Sequence, residues 1–236
     1  MKNVPEISVI IPTRDYGKFI GEALESVIKQ SLPPAEIIVI DDGSEDNTAE
    51  IVAKFSARVR YYFSEKKGVG AARNLGVRFS SGEMIAHLDA DDIWIPEKLE
   101  RQAEEFIKTP DLDIAGGMMR PFFCKQMDPD KKRKIHCSPV PLPGFSASVL
   151  LVRRSSFFKV GFYREDLRVG QDLEWFLRAR EIPLQERMVN ELLAYRRLHD
   201  SNSSMIKKND QMEMLRVLKE SIDRRRAIRP TGHYEK

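Results

Sequence analysis

The chain has 236 residues, 42% of them hydrophobic, enough to bury a full core as one large α/β domain or as a domain with a short appendage, and one domain is expected. It opens on charged and polar residues and holds no apolar run near eighteen residues, which excludes a secretory signal or a membrane-spanning helix within it and leads us to expect a cytosolic protein. Net charge is +3, but residues 207–236 carry nine Lys or Arg against five Asp or Glu, so that segment holds +4 and the remainder about −1.

Two cysteines, Cys124 and Cys137, are too few for a disulfide scaffold and read as reduced thiols. His136 beside Cys137 is only a faint metal signal. No basic face is interleaved with aromatics, so a nucleic-acid partner is not expected.

In chain order, Ile7-Ser8-Val9-Ile10-Ile11 reads as a buried strand stopped by Pro12, followed by a helix over about 19–30. Phe19, Ile20, Ala23, Leu24, Val27 and Ile28 form one face of that helix. Glu36 to Ile40 is a second buried strand ending at Asp41-Asp42-Gly43-Ser44, with a helix behind it over about 47–56. Val59 to Phe63 makes a third strand. After Gly68-Val69-Gly70 a helix carries Ala72, Gly76 and Phe79, and Met84 to Leu88 is a fourth strand. Four strand–helix units by residue 92 imply an α/β protein with a doubly wound, mostly parallel sheet and helices on both faces. Pro96 suits a first helical position, and Leu99, Ala103 and Phe106 mark the helix after it.

The second half is less regular. Residues 124–143, rich in Lys, Pro and Asp, read as a long exposed connection. Residues 146–152 alternate as a strand, 172–180 as a helix and 191–196 as a strand, and Met212, Leu215, Leu218 and Ile222 form a stripe on a last helix.

The chemistry concentrates at strand ends. Leu88-Asp89-Ala90-Asp91-Asp92 places three carboxylates directly after an apolar strand. Alternate residues of an extended segment share a side, so Asp89 and Asp91 can face one ligand, and a hard divalent cation suits their oxygens. Taken alone, such a cluster is more often a solvated turn. An EF-hand loop is excluded because Ile93 stands at a ligand position and Trp94 where the turn needs Gly. A dinucleotide fingerprint at Gly68-Val69-Gly70 is excluded too, since Arg73 stands at its third glycine and the motif follows the third strand. With Pro12-Thr13-Arg14-Asp15, Asp41-Asp42-Gly43-Ser44 and Asp89-Ala90-Asp91 on one sheet edge, a nucleotide can meet carboxylates through its base and ribose. Its phosphates would be screened by the cation and by Arg73.

These residues resemble the inverting glycosyltransferases of family 2, which have the GT-A fold. Ser8 to Thr13, Val39 to Ser44, Gly68-Val69-Gly70-Ala71-Ala72-Arg73-Asn74, and Leu88 to Asp92 through Pro96 and Leu99 match the family pattern in order and spacing. The likeness continues through Gly170-Gln171-Asp172 and Tyr195-Arg196-Arg197 with His199 and Ser203, covering about residues 6–204. The resemblance implies a transferase over 1–204, with a donor half near 1–118 and an acceptor half near 119–204, and a C-terminal amphipathic helix with a basic tail over 205–236.

The resemblance also implies residue roles. Pro12, Thr13 and Asp42 stand at nucleoside-contacting positions with Asp15 beside them, and Arg73 at one near base or phosphate. Asp89 and Ala90 fall on the ribose side, Asp91 is the metal position for Mn²⁺ or Mg²⁺ with His199 at either the metal or the diphosphate, and Asp172 is the catalytic base. The family commonly has Glu where this chain has Gln171. Without the resemblance, Asp172 reads as a helix cap, Arg73 as a surface charge and His199 as an ordinary histidine.

The implied reaction moves a sugar from a nucleoside-diphosphate sugar, with uridine the commonest base, to a saccharide, lipid-linked or other hydroxyl acceptor. A nucleotidyltransferase or a non-catalytic nucleotide-sugar binder is the alternative, although the first loop, Pro12 to Lys18, has one glycine rather than a Gly-rich, basic sequence. Arg224-Arg225-Arg226 after the last stripe admits peripheral contact with an anionic membrane, against a terminal helix docked on its own domain.

Overall fold

The computed structural model describes residues 4–144, 146–200, 202 and 208–228. Its first half follows from the apolar runs. Strand β1 (Ile7–Thr13) is buried along its whole length and pairs in parallel with β2 (Glu36–Asp41) on one side and β4 (Met84–His87) on the other. Strand β3 (Arg60–Phe63) extends the parallel set beyond β2. A strand buried on both faces needs helices on both faces, and these are supplied from either side of β1. Ile7, Val9 and Ile11 face α1 (Ile20–Ile28) and α4 (Lys98–Lys108), whose Leu24, Val27, Leu99 and Ala103 share their core. Ile10 faces the opposite way, toward Val77 of α3 (Val69–Phe79) and the aromatics of α6 (Arg154–Val160) and α7 (Gln171–Ala179). Helix α2 (Thr48–Ala53) follows β2.

The second half continues the same sheet with mixed polarity. Strand β8 (Leu151–Arg153) runs antiparallel to β4 and to β6 (Ile114–Phe123), and β6 pairs in parallel with the long β9 (Glu186–Leu198). Short β5 (Ile93–Trp94) closes the order β3-β2-β1-β4-β8-β6-β9-β5, with β7 (Leu142–Pro143) on β6. The pairing of β5 with Tyr195 and Ala194 carries the chain after Asp92 to the strand that ends beside His199.

Several expectations need correction. Strand β6 has no clean period in the sequence because Gly116 and Gly117 interrupt it; a Cβ on Gly117 would lie 2.1 Å from Leu193, so close packing of β6 on β9 requires the glycine. The segment 124–143 is not wholly irregular. It contains α5 (Pro129–Lys134), capped by Asp128, whose carboxylate accepts the amides of Asp130 and Lys131 at 2.8 and 3.0 Å. Residues 146–152 do not form one strand: Ser146 caps a single 3-10 turn, Ala147–Val149, before β8 begins. In helix α8 (Lys208–Ile228), Met212, Leu215, Leu218 and Ile222 point outward, while Val217 and Ser221 are buried. Ser203 and residues 229–236 of the tail lie outside the described residues.

Candidate active site

The ends of β1, β2 and β4 lie side by side, with Pro12 opposite Ile40 and Thr13 opposite Asp41. Just beyond β1, Asp15 takes a left-handed conformation (φ 57°), which Asp tolerates better than most residues. Its amide donates to Ser44 Oγ at 2.9 Å and its carboxylate accepts the Glu45 amide at 2.8 Å, which ties the first loop to the second. Asp42 is buried and accepts the amides of Lys67 and Gly68 at 2.7 and 2.9 Å. It therefore fixes the entry to α3, where Gly68 at φ 98° makes a turn that a side chain would strain. Thr13 Oγ1 is buried with no hydrogen-bond partner among the described residues.

Helix α3 delivers Arg73, 3% exposed, under the carboxylates. Its Nη2 donates to Asp89 Oδ1 at 2.6 Å and its Nη1 to Asp172 Oδ1, so one guanidinium joins the end of β4 to the start of α7. Arg73 was expected near base or phosphate; here both terminal nitrogens are engaged by carboxylates. Burial works against its charge, but Asp172 and Asp89 outweigh burial and raise its pKa further. Asp172 Oδ2 accepts the Ala147 amide at 3.0 Å, so the 3-10 turn also orients this carboxylate. Burial pushes the Asp172 pKa above the ordinary carboxylate range, and Arg73 opposes that rise.

The remaining acids of the β4 segment face a different set. Asp91 Oδ2 lies 2.9 Å from His199 Nε2 and accepts from Asn202 Nδ2 at 3.1 Å. The His199 ring packs against Phe19, at 4.6 Å between centroids, and edge-on against Tyr16. Tyr16 has its phenol pKa raised by burial and by the charges of Asp91, Asp89 and Asp92. Asp92 is buried, accepts from the Arg197 amide and Ser148 Oγ, each at 3.1 Å, and is held well above the ordinary range by burial and by Asp91 and Asp89. Ser148 Oγ also accepts the Asp89 amide at 3.1 Å.

Asp15, Asp42, Asp89, Ala90, Asp91, Arg73, Asp172 and His199 are thus linked through neighbouring loops and direct contacts, with Pro12 and Thr13 at the adjoining strand end. The sequence reading missed Tyr16 and Asn202, and expected Ser148 only as the end of an acceptor-contacting stretch from Pro143. Tyr16 lies within the first loop and was within reach of a strand-end argument. Ser148 and Asn202 are ordinary polar residues whose importance comes only from the tertiary pairing of their segments.

Among the described residues no group of three His, Cys, Asp or Glu is arranged to enclose a metal. The donor set nonetheless fits a hard cation of the magnesium or manganese type, which binds through one or two carboxylates and completes its shell with water and substrate phosphate oxygens. Asp91 Oδ2 and His199 Nε2 present an oxygen and a nitrogen side by side, whereas Asp89 is engaged by Arg73.

Parallel strands end in carboxylates along one sheet edge, and Asp172 is brought to that edge from the second half of the chain. The fold is that of GT-A glycosyltransferases. The crystal structure of S. aureus TarS 1-349 in complex with UDP matches 92% of this chain and 65% of its own with a TM-score of 0.69 at 21% identity. The UDP-GlcNAc complex of TarS matches with a TM-score of 0.70 at 20% identity, over 91% of this chain and 66% of that one. Residues 8–164 match the profile described as Glycosyl transferase family 2, and the chain belongs to that family. An uncharacterized glycosyltransferase of Rickettsia typhi is 29% identical over 85% of this chain and 66% of its own length. The Escherichia coli chondroitin synthase is 29% identical over 95% of this chain and 34% of its own. The E. coli UDP-Glc:alpha-D-GlcNAc-diphosphoundecaprenol beta-1,3-glucosyltransferase WfgD is 40% identical over 43% of this chain and 41% of its own. The chain spans about one third to two thirds of the length of the curated relatives that match it over most of its residues.

Proposed function

We propose that this chain is an inverting glycosyltransferase that moves a sugar from a uridine-diphosphate sugar to an acceptor hydroxyl by single displacement. The observation that carries the reading is the Arg73 bridge, which sets Asp172 beside Asp89 at the donor edge although the two carboxylates come from different halves of the chain. The UDP and UDP-GlcNAc complexes of TarS and the UDP-Glc specificity in the name of WfgD support uridine.

Asp172 is the base. Its oxygens are fixed by Arg73 and by the Ala147 amide, and each carboxylate oxygen retains acceptor capacity for the proton of an incoming hydroxyl. As that proton leaves, the acceptor oxygen bonds to the anomeric carbon from the face opposite the nucleotide, the bond to the diphosphate oxygen breaks, and the linkage inverts. Asp91 and His199 are the residues that would hold Mn²⁺ or Mg²⁺, and the ion would supply positive charge to the departing diphosphate. Pro12, Thr13, Asp15, Asp42 and Ala90 form the nucleoside side.

The test is transfer by Asp172→Asn in the presence of a uridine-diphosphate sugar and an acceptor. UDP binding is expected to persist while transfer falls by orders of magnitude. Undiminished transfer would remove Asp172 from the mechanism, and release of pyrophosphate instead of UDP would make the chain a nucleotidyltransferase.

A further inference from the structure

Helix α8 is turned the opposite way from a helix docked on its own domain, which normally buries its apolar stripe and shows its charges to water. Here the charged side faces the protein. Glu213 accepts the amides of Arg168 and Val169 at 3.1 and 3.0 Å, Glu220 pairs with Arg164 at 2.5 Å, and Arg224 pairs with Glu181 at 2.7 Å. Ser221 also donates to Glu181, at 2.8 Å. Val217 is the buried apolar residue of this side.

The outward side carries the stripe. Leu215, Leu218 and Ile222 follow one another at three- and four-residue steps, with Met212 one step earlier, and are 59%, 40%, 43% and 64% exposed respectively. Cations flank it: Lys219 lies four residues after Leu215, Arg226 four after Ile222, and Arg225 seven after Leu218, all three exposed, with Asp223 the exposed acid nearby. Neighbours at these spacings share a helix face. An apolar ridge bordered by Lys and Arg is the surface of a helix that lies in the headgroup layer of an anionic membrane, its leucines among acyl chains and its cations among phosphates.

We propose that the outward face of α8 is a docking surface for an anionic lipid bilayer. The ion pairs on the inner side set the orientation, so α8 would lie between the bilayer and the Arg168–Gly170 loop that leads into Asp172. Met214 packs so closely there that a Cβ on Gly170 would meet its sulfur at 2.5 Å. The lipid contact itself does not depend on how the site is read.

The test is flotation of the whole chain with phosphatidylcholine vesicles, with and without phosphatidylglycerol, at low and high salt. Binding is expected to require phosphatidylglycerol and to weaken with salt. The combined Lys219→Gln, Arg225→Gln and Arg226→Gln variant should bind roughly a hundredfold less tightly, since each cation near the surface contributes about 1 kcal/mol. Leu218→Asp with Ile222→Asp should abolish binding with the circular dichroism melting curve unchanged, because both positions are exposed. Absence of binding at low salt, equal binding to both kinds of vesicle, or a concentration-dependent dimer that Leu218→Asp dissociates would each overturn the proposal. None of these lipid readouts bears on transfer, so their failure leaves the proposed reaction standing.

Discussion

Arg73 and Asp172, 99 residues apart in sequence, form an ion pair in which the guanidinium is 4% exposed and also holds Asp89. Removing this cation leaves two carboxylates facing each other with nothing between them, which costs more than the pair's own net contribution. Arg73→Met is therefore expected to destabilise the fold by about 3 kcal/mol, seen as a lower Tm. It should also change the pH profile in a defined sense. Burial already raises the Asp172 pKa and Arg73 restrains it. Without the cation the pKa rises further, the base form appears only at higher pH, and the acid limb of kcat/KM moves up by about one pH unit or more. Arg73→Lys should show an intermediate effect, because an ammonium cannot span two carboxylates as a guanidinium does. An acid limb that stays in place would separate Arg73 from the base.

How far the site was legible in the sequence follows from how local each signal is. Strands β1, β2 and β4 could be read from their apolar runs, although β1 continues through Pro12 to Thr13 where Pro12 was expected to stop it, and the cluster at 89–92 declares itself in four consecutive positions. Asp172 carries no such mark and looks like a helix cap; only the resemblance to a family identified it. The Arg73 bridge was not legible at all, since it depends on α3 and α7 meeting the end of β4. Strand β6 was not assigned from the sequence, and its Gly116-Gly117 pair is the point of close approach to β9. The apolar stripe of the last helix faces outward, because the ion pairs of Glu220 and Arg224 orient it and periodicity alone cannot rank a salt bridge above a leucine.

Asp91 and His199 predict a shared dependence on the cation. At a UDP concentration near a hundred times Kd, bound nucleotide is expected to stabilise the fold by about 2.7 kcal/mol, and the gain should depend on Mn²⁺. Asp91→Ala should lose that dependence, and His199→Ala should weaken it while leaving the Asp91 contact with Asn202 in place. Thermal shift with UDP alone, Mn²⁺ alone and both together checks this without any turnover. An unchanged Mn²⁺-dependent shift in Asp91→Ala would place the ion on other residues.

Asp92 makes a prediction about stability and pH. Burial and the charges of Asp91 and Asp89 raise its folded pKa well above the ordinary value, so across the interval between the two the folded state keeps a proton that the unfolded chain has released. Its contribution to stability is therefore lost as pH rises from about 4 toward that raised pKa. Asp92→Asn removes the titration. The hydrogen bond from the Arg197 amide is retained by Oδ1, and the Ser148 hydroxyl can turn to accept from the new amide. The variant is expected to match the parent in acid and to exceed it by about 1 kcal/mol or more at neutral pH. Urea midpoints across pH give the difference directly, and a constant gap between the two proteins would contradict the assignment.

Two glycines in helices separate close approach from mere absence of a side chain. A Cβ on Gly70 would lie 2.7 Å from the backbone carbonyl oxygen of Arg164, an atom that cannot swing aside. Gly70→Ala must displace either the start of α3 or the Arg164 backbone. Because Arg73 lies one turn further along α3, the displacement reaches its bridge to Asp172. We expect a loss of about 1 to 3 kcal/mol together with a fall in transfer. Gly21, in α1, has its nearest neighbour, Ile51 Cγ2, at 3.5 Å, an ordinary contact. Gly21→Ala should therefore gain about 0.5 kcal/mol from reduced freedom of the unfolded chain and leave transfer unchanged. Urea unfolding of both variants alongside the transfer assay checks the pair, and equal losses at the two positions would show that the Arg164 contact is not what requires glycine at position 70.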